Sequence, residues 1–295
     1  MSMTNSAGIG TVAALWRYPV KSMLGEELDE SAVTQRGLVG DRGYALIDKE
    51  TGKLVSAKRP RLWGQMFFCR AAFVAQPSGT HELPAVRMTL PDGSSITTDD
   101  PEVEAVLSGT LGRAVTLSAT PPAKIGIEEE WLDSKGSVKY GEVSSRSEAE
   151  TIVETPAAFA APGTFFDLSA LHIVTTATLN RLQEAYPGGE MSDRRFRPNI
   201  VVDTPGASGF VENEWSGRVL RIGDEVRVQV MVPMVRCVMT TLPQPGLERD
   251  PGILRTVAQH NMVPVMQLGD LPCVGVAANV MQGGTVRRGD AVVLE

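Results

Sequence analysis

Alternating apolar and polar residues recur in short runs along most of the chain, and this pattern predicts many β-strands. Such runs span Thr11 to Tyr18 and Val219 to Val232, the second interrupted by Gly223-Asp224. A period of two places every second side chain on one face of a sheet. Further strands are predicted at residues 62–74, 115–117, 172–174, 200–202, 273–281 and 286–294, and hairpins are predicted to join 37–48 to 53–55 and 86–90 to 94–98.

Helical patterns are confined to short segments. Asp100-Pro101-Glu102 supplies a capping acid and a first-turn proline for a helix that would end before Gly112. Two more short helices are predicted at residues 176–186 and 251–260. The sequence therefore predicts a protein that is mainly β with short helices, an α+β fold rich in β-barrels rather than a doubly wound sheet.

Residues 121–164 interrupt these patterns and are rich in Pro, Gly, Ser and Glu, including the acidic run Glu128-Glu129-Glu130. This composition favours a linker or mobile loop. It separates a predicted first domain, residues 1–120, from a second, residues 165–295.

Composition narrows the classes of function. The chain has 295 residues, 42% of them hydrophobic, and a net charge of −7. An acidic chain is a poor general binder of nucleic acid or anionic membranes, so we expect neither. No apolar run approaches the ~20 residues of a membrane helix, and no basic segment precedes the first apolar run. The odd count of three cysteines argues against a disulfide scaffold, and we expect a cytoplasmic protein.

Cys237 is the first candidate for chemistry. It follows the apolar residues 231–234 and precedes the turn-forming residues 243–246, so we expect it where a buried strand gives way to a loop. The permanent charge of Arg236 would favour its thiolate, provided that the backbone bends so that both side chains face one way. A lone cysteine is more often a small buried hydrophobe, and that alternative stays open.

Cations beside turns form the second candidate feature. Lys21-Ser22 follows a strand, Asp41-Arg42 lies in a glycine-rich turn, and Arg194, Arg195 and Arg197 precede Pro198. In an acidic chain, this placement indicates one anionic small molecule near a thiolate. The sequence has no Walker loop, no G-x-G-x-x-G and no zinc spacing among His81, His172 and His260.

Four separated segments resemble those of MOSC proteins, in which a molybdenum cofactor sulfurase C-terminal domain follows an N-terminal β-barrel domain. The segments are residues 18–22, 40–42, 196–202 and 236–241, in that order. The resemblance implies a MOSC-type β-barrel plus a smaller N-terminal β-barrel-like domain, with the first strand a candidate for sharing between them. Pyridoxal phosphate binding, a term associated with the family, is not expected as chemistry here.

The resemblance extends to the amidoxime-reducing component family, and it implies a molybdenum-molybdopterin cofactor. Cys237 would be the catalytic residue and the protein ligand of the metal. The cofactor-binding residues implied are Lys21, Ser22, Arg42 and Arg197 at the pterin phosphate and nearby polar atoms, Arg236 at the cofactor, Asn199 and Thr240 at the pocket wall, and Thr175 and Thr176 in a neighbouring segment.

The implied activity is reduction of small N-hydroxylated compounds with electrons from an external iron–sulfur or flavin protein. Two alternatives remain: a sulfur carrier or cofactor-handling protein using a Cys237 persulfide, and a barrel protein that binds another anion. The chain departs from the family at Ala277, where relatives place a tyrosine, and in the loop 242–246, which leaves substrate preference open.

Overall fold

The computed structural model describes residues 7–78, 83–121, 128–131, 151–154 and 164–295. Its strands are β1 (Ala7–Arg17), β2 (Glu26–Leu28), β3 (Glu30–Thr34), β4 (Gly37–Leu38), β5 (Ala45–Asp48), β6 (Arg70–Phe73), β7 (Val86–Thr89), β8 (Ser95–Thr97), β9 (Val115–Ser118), β10 (Glu128–Trp131), β11 (Thr151–Glu154), β12 (Leu171–Thr175), β13 (Ile200–Asp203), β14 (Val219–Ile222), β15 (Val226–Val235), β16 (Met262–Pro264), β17 (Asp270–Gln282), β18 (Gly284–Arg287) and β19 (Ala291–Leu294).

Short helices connect these strands. They are α1 (Pro60–Trp63), α2 (Val103–Leu111), α3 (Thr176–Ala185), α4 (Asp193–Phe196) and α5 (Pro251–His260), with 3₁₀ turns at Gly64–Phe68, Val211–Trp215 and Val238–Thr241. In the part of the chain that the model covers, no helix combines the length and the apolar character needed to cross a bilayer.

A closed barrel forms the larger part of the molecule. Its strands follow the order β12-β13-β1-β19-β14-β15-β17, and β17 pairs back to β12. Only the β12–β13 pair of this ring is parallel. Twenty buried apolar side chains fill the interior, among them Leu15, Ile173 and Leu220. The mainly β fold class predicted from the sequence is confirmed.

The N-terminal region contributes its first strands to this barrel: β1 is part of the ring, β2 pairs with β1, and β3 pairs with β18. β1 lies between β13 and β19, so the barrel is built from both ends of the chain. Its C-terminal end delivers residues 18–22 to the rim of the barrel. The N-terminal region has its own buried apolar core and the sheets β5-β9 and β6-β7-β8.

Two sequence predictions need comment. The strand predicted at residues 62–74 is wrong over its first part, because Pro60 begins α1 and a 3₁₀ turn follows, leaving only β6 as strand. Most of the predicted linker, residues 121–164, lies outside the described residues, and the part described contains the antiparallel pair β10–β11.

Candidate functional site

Four segments that are distant in sequence meet at one rim of the barrel. They are the residues after β1, the turn 40–43, the residues after α4 and the residues after β15. Asp41 joins the first three: its Oδ1 accepts from the Tyr18 amide at 2.8 Å, and its Oδ2 accepts from Asn199 Nδ2 at 2.9 Å and from Arg42. One buried carboxylate therefore fixes the relative positions of three of the segments.

Backbone strain is concentrated at this rim. Within the described ranges, four non-glycine residues have positive φ, and three of them are the predicted site residues Ser22 (65°), Arg42 (47°) and Arg197 (55°). Bulky residues adopt this conformation at a cost, and such residues cluster at functional sites. The strained backbone aims these three side chains toward the same region.

Two of the predicted cations share one aromatic ring. The guanidinium carbons of Arg42 and Arg197 lie 4.5 and 4.2 Å from the centroid of the Tyr18 ring. Arg197 also lies 5.3 Å from the Phe67 centroid. Burial lowers the pKa of Arg197 to about 10, and the Arg42 charge acts in the same direction while Tyr18 opposes it.

Lys21 is buried beside these arginines. Its Nζ donates to the Phe165 carbonyl at 2.7 Å and to the Asp167 carboxylate, which Lys58 also approaches at 3.7 Å. Burial lowers the pKa of Lys21, and Asp167 opposes this. Partial burial alone would raise the pKa of Asp167, but Lys21 and Lys58 hold it well below its usual range.

Cys237 lies at the end of β15, as the sequence predicts. It begins the 3₁₀ turn Val238–Thr241, and its carbonyl accepts from the Thr240 amide at 3.2 Å and from Thr240 Oγ1 at 3.0 Å. The half-buried side chain packs in a small cluster with Ala57 and Phe67. Two members of that apolar cluster also touch predicted site residues: the Ala57 amide donates to Ser22 Oγ at 3.1 Å, and the Phe67 ring centroid lies 5.3 Å from the Arg197 guanidinium carbon.

Arg236 bridges the thiol and the rim. β15 ends at Val235, and the Arg236 amide then donates to the Pro272 carbonyl at 2.8 Å while Nη2 donates to the Phe196 carbonyl at 2.8 Å. Burial lowers the pKa of Arg236, whereas attraction to the Cys237 sulfur raises it. The guanidinium therefore acts electrostatically on the thiol, and favours its ionised form.

The other two cysteines have a different environment. Cys69 and Cys273 are completely buried, and none of the three cysteines forms a disulfide. Burial raises the pKa of Cys69 to about 11 and that of Cys273 to about 12. Both are packing residues, as the sequence indicates, and neither is suited to ionise at neutral pH.

The side chains of four predicted cofactor-binding residues form hydrogen bonds with other protein groups. Thr175 caps α3 and donates to Glu212 at 2.7 Å, and Thr176 donates to Asp203 at 2.9 Å. These two hydroxyls are not brought to the cations. Asn199 donates to Asp41, and Thr240 donates to the Cys237 carbonyl, so both side chains help to position other residues of the site.

The predicted arginine group 194–197 is divided. Arg194 donates to the Pro245 carbonyl at 2.6 Å, and Arg195 donates to the Glu248 carbonyl at 2.9 Å. These two side chains brace the loop after Cys237. Only Arg197 joins the cluster, because its left-handed backbone turns it away from α4.

Three buried polar atoms of the cluster lack hydrogen-bond partners among the described residues: the Tyr18 hydroxyl, Arg197 Nη1 and Arg236 Nε. A buried donor without a partner is costly, and each such atom in a native protein asks for an explanation. An acceptor-rich anionic ligand beside Cys237 would satisfy all three. A cavity of about 300 Å³ opens beside Asp41 and Arg42, with Phe165 and Phe166 also in its wall.

Sequence analysis names Asp41 only as the neighbour of Arg42, and it does not identify Lys58 or Asp167. The structure shows that the Asp41 carboxylate is buried and joins three segments of the site. Asp167 follows residues 121–164, whose sequence has no regular strand or helix pattern, and it has no local signal. Its side chain becomes significant because Phe165 and Asp167 meet Lys21 from the far side of the chain.

Two family models and several known proteins match the chain. The MOSC domain model matches residues 162–293, and the MOSC N-terminal beta barrel domain model matches residues 9–112. Mitochondrial amidoxime-reducing component 1 of Mus musculus is 25% identical over 97% of this chain and 82% of its own length. Mitochondrial amidoxime reducing component 2 of Macaca fascicularis is 28% identical over 96% of this chain and 83% of its own. Among solved structures, the YUAD protein from Bacillus subtilis aligns over 98% of this chain and 97% of its own, with 10% identity and a TM-score of 0.46.

Proposed function

The chain belongs to the MOSC family and carries a MOSC N-terminal β-barrel domain, and we propose that it is a molybdenum-cofactor-dependent oxidoreductase that reduces N-hydroxylated compounds. Electrons would come from a separate iron–sulfur or flavin protein. The similarity to the amidoxime-reducing components supports the class of reaction. We also propose the domain division 1–120 and 165–295, with β1 contributed to the second barrel, a division that the two matched ranges support.

The observation that carries the proposal is the half-buried thiol of Cys237, which interacts electrostatically with Arg236 and packs on an apolar cluster whose Phe67 ring contacts Arg197. Arg236 Nε and Arg197 Nη1 are buried without hydrogen-bond partners among the described residues. Thiolate is a suitable ligand for a soft metal centre, and guanidinium groups bind phosphate through parallel hydrogen bonds. The residues present therefore fit both ends of a phosphorylated pterin that carries a metal. Bound molybdenum would supply two-electron oxygen-atom transfer.

The protein's own residues would hold and orient the cofactor. Cys237 would ligate the metal, and Arg236 would stabilise the thiolate. Lys21, Arg42 and Arg197 would bind the phosphate and adjacent polar atoms, with the Ser22 hydroxyl nearby. Because these groups are fixed by Asp41 and by strained backbone, little reorganisation would be needed on binding.

The net reaction balances without further reagents. Two electrons from the donor protein and two protons from solvent convert the N–OH group to N–H, and the oxygen leaves as water. In the cluster, the Lys21 ammonium already donates to Asp167 and to the Phe165 carbonyl, which leaves one of its three N–H groups for a bound anion.

The test is cofactor content and turnover of protein made in a host that synthesises the cofactor. We expect wild-type protein to contain molybdenum and pterin and to reduce a simple hydroxylamine with an artificial reductant. Cys237→Ala should lose activity by more than about 100-fold, because the metal loses its protein ligand. The control Cys69→Ala removes a buried thiol elsewhere and should retain molybdenum.

Wild-type protein from the same host that contains no molybdenum, like Cys237→Ala, would contradict the proposal. If that metal-free wild-type protein also carried cyanide-releasable sulfur on Cys237, the alternative would be supported, namely a sulfur carrier that uses a persulfide.

A further inference from the structure

Tyr18 occupies an unusual position between two like charges. Its ring has the guanidinium carbons of Arg42 and Arg197 within 4.5 and 4.2 Å of its centroid, and the side chain is 3% exposed. Its backbone amide donates to Asp41, and its carbonyl accepts from the Arg42 amide at 2.8 Å. The ring is therefore fixed at the centre of the cation cluster.

Two neighbouring guanidinium groups repel each other, and the burial of such a charge is costly. Among the described residues, the partly exposed Arg42 has a carboxylate partner, because Asp41 bonds it directly. Arg197 instead faces the rings of Tyr18 and Phe67. The negative face of an aromatic ring attracts a cation by about 0.5–2 kcal/mol, so the Tyr18 ring offsets part of the repulsion between the two arginines.

The hydroxyl of Tyr18 has a second property. It is buried and makes no hydrogen bond within the portion of the chain that the structure describes. A buried phenol normally finds a partner. Arg197 Nη1, on the guanidinium that stacks on the same ring, is also without one. Two donors that lack acceptors at one place indicate a ligand that brings oxygen acceptors.

We propose that Tyr18 is a positioning residue of the ligand site: its ring holds Arg42 and Arg197 together, and its hydroxyl donates a hydrogen bond to an oxyanion of the bound cofactor. The hydroxyl's role rests on the proposed function, whereas the ring's role does not. The role of the ring and the role of the hydroxyl can be tested separately, because Tyr18→Leu removes both groups and Tyr18→Phe removes only the hydroxyl.

The ring's role is tested in apoprotein from a host that makes no cofactor. Tyr18→Leu removes the ring, and Arg197→Met removes one charge while keeping side-chain volume. We expect Arg197→Met to raise the Tm by at least about 2 °C more in the Tyr18→Leu background than in wild type, because without the ring the repulsion is no longer offset. Equal shifts in the two backgrounds would overturn the ring's role.

The hydroxyl's role is tested in protein from a cofactor-producing host. Tyr18→Phe keeps the ring and removes a buried hydroxyl that has no partner among the described residues, so its apoprotein should melt at or above the wild-type Tm. The same variant should retain less than half of the wild-type molybdenum and pterin after the same desalting. Tyr186→Phe, which removes a hydroxyl that bonds Asp250, is the matched control and should retain the wild-type amount.

Tyr18→Phe with wild-type retention of both molybdenum and pterin would overturn the hydroxyl's role. Wild-type protein without molybdenum would overturn that role and the proposed function together, while the apoprotein comparison would still decide the role of the ring.

Discussion

The barrel interior and the cation cluster at its rim follow opposite rules. The interior holds a cluster of twenty buried apolar side chains among the described residues, and β-strand pairing satisfies the backbone around it. The rim has three non-glycine residues with positive φ and three buried polar atoms without partners among the described residues. Proteins keep such costly features where function requires them.

This difference implies that stability and ligand binding are provided by different residues. The apolar cluster in the interior stabilises the fold through burial. The cluster contributes charge and strain, and it persists because the barrel and Asp41 hold it in place. Substitutions in the two regions should therefore have separable effects, and the predictions below test that separation.

The largest effect is expected from a cavity in the barrel. Leu220 on β14 is completely buried in the interior. Leu220→Ala should reduce the free energy of unfolding by about 3 kcal/mol, because it loses apolar burial and leaves a cavity. Urea denaturation of the apoprotein measures this. The control Leu268→Ala, at a leucine that is 72% exposed, should change stability by less than about 0.5 kcal/mol.

Molybdenum per folded chain should be unchanged in Leu220→Ala. A loss of cofactor in proportion to the loss of stability would show that the two regions are not separable.

The sequence predicts the barrel better than it predicts the rim, for a physical reason. Strand periodicity and turn residues are local, so β12 to β15, the hairpin of β7 and β8, and the limits of α2, α3 and α5 are close to the predicted ones. Closure of the barrel by β1 depends on contacts between the two ends of the chain, which no local pattern records.

At the site, residue type alone indicates the cations and the thiol but not their partners. Lys21, Arg42, Arg197, Arg236 and Cys237 meet in the structure as one cluster. The resemblance predicts cofactor contacts for Thr175 and Thr176, but their hydroxyls donate to the acids Glu212 and Asp203, and Thr175 also caps α3. Asp167 could not be predicted, since its significance depends entirely on a contact with a residue from the other end of the chain.

A second prediction concerns His172, a barrel residue whose pKa is lowered in part by the charge of Arg236. His172 on β12 is buried, and Nε2 lies 2.9 Å from the Val274 carbonyl. Burial first, and then the Arg236 charge, lower its pKa from 6.5 to about 3. Between these values the unfolded chain binds a proton that the folded chain does not, so stability falls as pH falls.

The expected loss through His172 is about 2 kcal/mol between pH 6.5 and pH 5, at about 1.4 kcal/mol per unit. His172→Gln cannot titrate but keeps a donor, so its unfolding free energy should decline less over this range by that amount. Parallel pH profiles for the two proteins would show that His172 is not held neutral by the fold.

The smallest expected effect has the opposite sign and tests the rim most directly. Arg197 is buried and strained, and its Nη1 has no partner in the part of the chain that the structure describes. Its pKa of about 10 reflects the cost of burying its charge. Arg197→Met keeps the volume and removes the charge, but it also loses the ring contacts with Tyr18 and Phe67. The balance should raise the free energy of unfolding of the apoprotein by about 1 kcal/mol, in line with the gain often seen when a buried charge is replaced by a hydrophobe.

The same variant should lose most of its molybdenum and pterin, because it no longer offers a guanidinium to the phosphate. Arg181→Met, on an exposed helical position, is the control and should change neither quantity. A gain in stability together with a loss of cofactor would show that the rim is maintained for binding at the expense of stability. If Arg197→Met instead destabilises the apoprotein as much as Leu220→Ala does, the guanidinium is part of the structural core, and the contrast between the two regions does not hold.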